Sequence, residues 1–120
     1  MIPKKDWLNR IYSDILELSS RKLQENRWLN PKYHEMSSYV DLISGLFDDN
    51  QFEEFLKKID DFDLDENTKQ LLLQLRDALN KYDDFDKNYQ EIIDDPEWEK
   101  IRALAKKILE KFPKPNEMIN

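Results

Sequence analysis

The chain has no cysteine. Disulfides, thiolate metal sites and a cysteine nucleophile are therefore excluded, and the absence agrees with a reducing compartment. There is one glycine in 120 residues, Gly45. A single glycine cannot build a phosphate-cradling loop and leaves little scope for tight β-hairpins. There is also one histidine, His34. No glutamate stands three residues before it and no His-Glu-x-x-His pattern follows, so the ligand spacings of bundle di-iron and zinc sites are missing. His34 reads as a surface or cap-region residue. Long apolar runs are absent too. The longest, Leu71 to Leu73, is far short of a membrane span. The start, MIPKKDWLNRIYSD, carries no apolar core of a signal peptide. A cytoplasmic protein is the expectation.

What remains is charged, aromatic and helix-forming. With 39% hydrophobic residues the chain has enough apolar material for a core and too much for a disordered segment. Its length suits one domain, with residues 1–112 as a helical bundle and 113–120 as a frayed tail. The expected fold is all-α, a compact bundle of five to six helices.

The apolar spacing predicts a first helix over about Lys4 to Glu25, led by Leu8, Ile11, Ile15 and Leu18. The polar stretch from Asn26 to Lys32, broken by Trp28 and Leu29, ends it. A second helix covers about His34 to Phe47, using Met36, Tyr39, Val40, Ile43 and Leu46. Gly45 inside it suggests the close approach of a neighbouring helix. Asp49 or Asn50 caps a third, which carries Phe52, Phe55, Leu56 and Ile59. Asp63 or Asp65 caps a fourth, running to about Tyr82 as the central helix. Asp83 to Asn88 form a turn or short helix, and Tyr89, Ile92 and Ile93 a further apolar turn. Asp95 caps the last helix, Pro96 opens it, and Trp98, Ile101, Leu104, Ala105, Ile108 and Phe112 face inward.

Net charge is −7 and uneven. Residues 1–45 sum to +1, 46–70 to −6, 81–100 to −5 and 101–120 to +3. The excess lies in the middle of the chain, so nucleic acid and anionic membranes are poor partners. The stretch LFDDNQFEEFLKKIDDFDLDENTKQ first suggests a calcium loop. Counting from Asp61 puts Glu66 and Leu72 where an EF-hand needs its glycine and its bidentate glutamate, and counting from Asp63 puts Thr68 and Gln74 there. Both registers fail, and Asp63 and Asp65 read as helix caps. No metal and no cofactor is expected. The serines Ser13, Ser19, Ser20, Ser37, Ser38 and Ser44 lie in helical patterns without a nucleophile elbow. A non-enzyme is expected.

The segment KYDDFDKNYQ places Tyr82, Phe85 and Tyr89 among Asp83, Asp84 and Asp86. Rigid aromatics ringed by carboxylates suit an interface with a cationic partner, while the plain alternative is a solvated turn with its aromatics inward. The candidate partner-binding set is Asp48, Asp49, Asp60, Asp61, Asp63, Tyr82, Asp83, Asp84, Phe85 and Asp86. The ends of an antiparallel helix pair would bring its two halves together.

The run SSYVDLISGLFDDNQFEEFLKKI, then DFDLDENTKQLLLQLRDALNKY and DDPEWEKIRALAKKILEKF, resembles small acidic helical immunity proteins. These are encoded beside bacterial contact-dependent growth inhibition and related polymorphic toxins. The resemblance spans about Ser37 to Phe112 and rests on helix layout, with no catalytic motif. It implies an inhibitor that binds and neutralises a cognate toxin domain, often a nuclease. Periodicity and the near-absence of glycine lead to the expectation of a monomer or weak dimer. A regulatory or scaffold module without a toxin partner is the second reading, and a small hydrolase the third.

Overall fold

A computed structural model describes residues 2–30 and 38–114. Seven α-helices and no strand occur among the described residues. They are α1 (Lys4–Ser19), α2 (Arg21–Gln24), α3 (Tyr39–Ser44), α4 (Phe52–Lys57), α5 (Glu66–Lys81), α6 (Tyr89–Asp94) and α7 (Pro96–Lys111). π-helical turns at Glu25–Leu29 and Gly45–Asp49 extend α2 and α3, and a 3₁₀ turn covers Ile59–Asp61. The all-α bundle expected from periodicity is what the chain forms. The predicted start of the second helix at His34, and with it Met36, lies outside the described residues, as does most of the C-terminal tail.

Local chemistry explains most boundaries. The Asp65 carboxylate accepts from the Thr68 amide at 2.7 Å, so Asp65 rather than Asp63 caps α5. Asn88 and Glu91 form a reciprocal capping box on α6. Asp95 accepts from the Glu97 amide and Pro96 opens α7, as anticipated. The cap of α4 differs from expectation. Gln51 precedes that helix in the left-handed region at φ 51° with no side-chain cap, because the Asn50 side chain is engaged with Asp14 instead.

The first helix is not continuous to Glu25. Ser20 adopts an extended conformation, φ −114° and ψ 107°, and its hydroxyl caps α2 by accepting from the Leu23 amide. The break lets Gln24 turn back onto α1. Its side-chain amide donates to the carbonyls of Glu17 at 3.0 Å and Leu18 at 2.9 Å, two of the acceptors that a helix end leaves without partners. Trp28, in the stretch expected to end the first helix, is buried. Its indole N–H donates to the Glu17 carboxylate at 3.0 Å.

The core joins Trp7, Ile11, Ile15 and Leu18 of α1 to Leu72 and Leu75 of α5 and to Trp98, Ile101, Ala105 and Ile108 of α7. The central helix is α7 rather than α5, since α7 packs against α1, α5 and α6. Tyr12 and Phe112 meet with ring centroids 6.3 Å apart. Phe52, Phe55 and Phe62 of the acidic stretch are core residues, with Trp7 set edge-on to Phe55 and Phe62. Val40 was expected in the core but is 57% exposed.

Gly45 does not admit a neighbouring helix. A Cβ built there meets nothing within 4 Å, and its backbone is right-handed helical at φ −60°, ψ −46°. Gly45→Ala is therefore expected to stabilise the protein by about 0.5–1 kcal/mol, mainly by restricting the unfolded chain. Urea denaturation of the two proteins measures this directly.

Candidate functional site

The ten candidate residues fall at two ends of the bundle. Asp60, Asp61 and Asp63 precede α5, while Tyr82 to Asp86 follow it. A 16-residue helix separates them, about 24 Å at the usual rise. Asp48 and Asp49 belong with the first group, because Trp7 ties both to α1. Its indole N–H donates to the Asn50 carbonyl at 2.6 Å, and its ring packs on Phe62. The two acidic segments, expected to meet at the ends of an antiparallel helix pair, are instead held apart by the length of α5.

At the first end, Asp48, Asp49, Asp60, Asp61 and Asp63 are all exposed. Some of this charge is answered locally. Lys69 pairs with Asp60 at 2.8 Å, and Lys4 donates to the Asp61 carbonyl at 3.2 Å. Arg76 crosses from α5 to Glu53 of α4 at 3.1 Å. Behind this surface sits Asp14. Burial pushes its carboxyl up to about 6, opposed by the Asn50 hydrogen bond and assisted by Glu17 and Asp49.

That shift makes a signed prediction. An acid with a raised folded-state pKa costs no stability while it is neutral in both states, below its unfolded value of 3.8. The cost grows as pH rises from 3.8 to about 6, and stays level above that. Its ceiling is about 3 kcal/mol, reduced by the partial exposure of the group. Asp14→Asn is expected to stabilise the protein by about 1–2 kcal/mol at pH 7 and to leave it nearly unchanged at pH 4. Paired urea titrations at the two pH values check it, and an equal gain at both would contradict the shift.

The second end is built on paired aromatics and carboxylates. Tyr82 is half-buried, its ring 5.1 Å from that of Trp98, and its hydroxyl donates to Asp95 at 2.7 Å. Tyr82 thus faces inward, as the plain alternative had it. Burial, then this bond, holds the Tyr82 phenol above its ordinary range. The same bond holds Asp95 below the usual carboxylate range. Asp84 is engaged as well. The Asp84 carboxylate lies near the Tyr39 hydroxyl, and burial followed by that neighbour raises the Tyr39 phenol.

The loop between them is pinned rather than loose. The Asp83 carboxylate accepts from the Phe85 amide at 3.0 Å. The Lys87 amide donates to the Asp84 carbonyl at 3.2 Å. The Lys87 ammonium donates to the Asp83 carbonyl at 2.7 Å and lies 5.8 Å from the Tyr82 ring centroid. Asp86 closes the turn in the left-handed region at φ 60°, where aspartate is among the better tolerated residues. On top of this frame Phe85 is 83% exposed.

No family model, curated protein or solved structure matches the chain. Beside Phe85 runs a half-open groove of about 570 Å³, with Ala78, Ile101 and Leu104 among its apolar lining and Lys81, Lys87 and Lys100 among its charges. Among the described residues no group of three or more histidine, cysteine, aspartate or glutamate side chains is arranged to hold a metal ion, and no helix is long and apolar enough to cross a membrane.

Sequence reasoning missed the polar centre beneath this end. Arg102 is 1% exposed. It donates to Gln24 Oε1 at 3.0 Å and to the Ile93 carbonyl at 2.9 Å, and it pairs with Glu99. Trp98 Nε1 donates to the same Gln24 oxygen at 3.1 Å. The signal was present: Arg102 stands four after Trp98 and three before Ala105, on the inward stripe of α7. A charged residue there has to be satisfied in the interior.

Proposed function

We propose that this protein is an immunity-type inhibitor, a non-enzymatic binder that docks on a basic toxin domain, most simply a nuclease, and neutralises it. The observation that carries the reading is Phe85, 83% exposed on a hydrogen-bonded loop between Asp83, Asp84 and Asp86. Folding gains little from a large aromatic held in water. Held rigid, it is ready to enter a partner's pocket at small entropic cost. The surrounding negative charge steers a cationic partner and raises its association rate.

The test is binding kinetics with the toxin domain encoded beside this gene. Phe85→Ala is expected to speed dissociation at least about tenfold. Raising salt from 0.05 to 0.5 M is expected to slow association about tenfold, since the charges act through solvent. An association rate indifferent to salt, with dissociation indifferent to Phe85, would overturn the proposal.

One feature favours the second reading, a scaffold module with no toxin partner. The acidic surface is divided between ends about 24 Å apart along α5, which suits bridging two basic partners. Reversing Asp48 and Asp49 to lysine discriminates. A single-site inhibitor that uses the Phe85 loop keeps its affinity, whereas a bridge loses one of its two partners.

A further inference from the structure

We propose that the chain pairs with a second copy of itself, Phe85 of each copy entering the other's groove between α5 and α7. The knob and the groove adjoin. Asp83 and Lys87 line the groove, and Phe85 stands between them on the same loop. A knob next to its own receptor on one face is what a two-fold interface requires, since one rotation then fills both sites. The groove floor of Ala78, Ile101 and Leu104 is aliphatic, the surface a phenyl ring replaces water against.

Charge selects the same occupant. The tip that carries Phe85 is acidic, with Asp84 and Asp86, whereas the groove holds Lys81, Lys87 and Lys100 beside Asp83, Asp95 and Glu97. The ion pairs of this region join Lys87 to Asp95 and Lys100 to Glu97. Neither uses Lys81 or Asp86, and both of those residues are exposed. In the pair, Asp86 of one copy meets Lys81 of the other, twice over. Across the rest of the groove the charges balance, Lys87 against Asp95 and Lys100 against Glu97, so Lys81 is the charge that an acidic aromatic tip would meet. The contact is small, one ring and one ion pair per site, so it belongs with weak, concentration-dependent associations. The pairing uses the same Phe85 as the inhibitor reading, and the two compete for that ring, but it is measured on this chain alone and so stands or falls separately.

Sedimentation equilibrium from about 10 µM to about 1 mM in low salt is the experiment, a range that brackets dissociation constants of weak pairs. The wild type is expected to shift from monomer to dimer across it. Phe85→Ala is expected to weaken the pairing at least about tenfold. Lys81→Glu and Asp86→Lys each place like charges opposite one another twice and are expected to be monomeric alone. Mixed together, each supplies what the other lacks, and a heterodimer is expected to form. Lysine at φ 60° strains the turn at position 86, so near-ultraviolet circular dichroism of the tryptophans verifies its fold. Lys81→Glu mixed with Asp86→Asn is the milder pair. A wild type that stays monomeric to 1 mM overturns the proposal, as does a dimer unaffected by Phe85→Ala or a mixture that does not associate.

Discussion

Replacing Trp98 with alanine is expected to cost about 3–5 kcal/mol of folding stability. The indole is fully buried and lies against the rings of Trp28 at 6.1 Å, Tyr39 at 5.4 Å and Tyr82 at 5.1 Å. Those rings come from three separate parts of the chain, so no single side chain can move to fill the space. A domain of this kind has about 5–15 kcal/mol in total, and such a loss leaves it marginal. Trp98→Phe separates shape from hydrogen bonding. It keeps an aromatic contact and removes one donor from Gln24 Oε1, which retains Arg102. Its cost is expected to be about 1–2 kcal/mol. Urea unfolding followed by far-ultraviolet circular dichroism measures both variants. An alanine variant within about 1 kcal/mol of the wild type would mean that the ring cluster repacks freely.

Arg102→Ala is expected to be comparably damaging, about 3–5 kcal/mol. The guanidinium supplies the Ile93 carbonyl and the Gln24 carboxamide with donors inside the bundle. Alanine removes both and leaves a void. Arg102→Met fills most of the volume. The remaining acceptors keep other donors, Trp98 for Gln24 and Arg21 for Ile93, so methionine is expected to cost about half as much. The pH dependence gives an independent check. The hydrogen bond to Arg102 holds Glu99 below its ordinary value of 4.5. An acid with a depressed folded-state pKa stabilises the fold above its unfolded value and loses that contribution as pH falls through the folded one. Stability that falls below about pH 4.5 in the wild type should fall less steeply in Arg102→Met.

Periodicity sufficed for α5 and α7, because their amphipathic stripes run four turns and their caps, Asp65 and Asp95 with Pro96, are local signals. It failed where a side chain acts at long range. The break at Ser20 depends on Gln24 reaching back to Glu17 and Leu18 and forward to Trp98 and Arg102, contacts up to 78 positions apart. No window of sequence contains them. Gly45 misled for the opposite reason: a mid-helix glycine suggests a packing demand, and here there is none. The acidic residues were identified from composition alone, which could not divide them between two ends. Nor could it show that Asp84 is engaged by Tyr39 while Phe85 is left in water.

The pairing of α1 with α7 also has a consequence during synthesis. Tyr12 and Phe112 touch, yet one hundred positions separate them. At about 5–20 residues per second a ribosome takes about 5–20 s to travel between them. Helix α1 must wait that long, its inward stripe of Trp7, Ile11, Ile15 and Leu18 uncovered, before α7 emerges from the exit tunnel. Completion of the fold thus waits on the emergence of α7. Until then the nascent chain presents an apolar helix of the kind that chaperones hold, and truncation anywhere before α7 leaves that helix without its main cover.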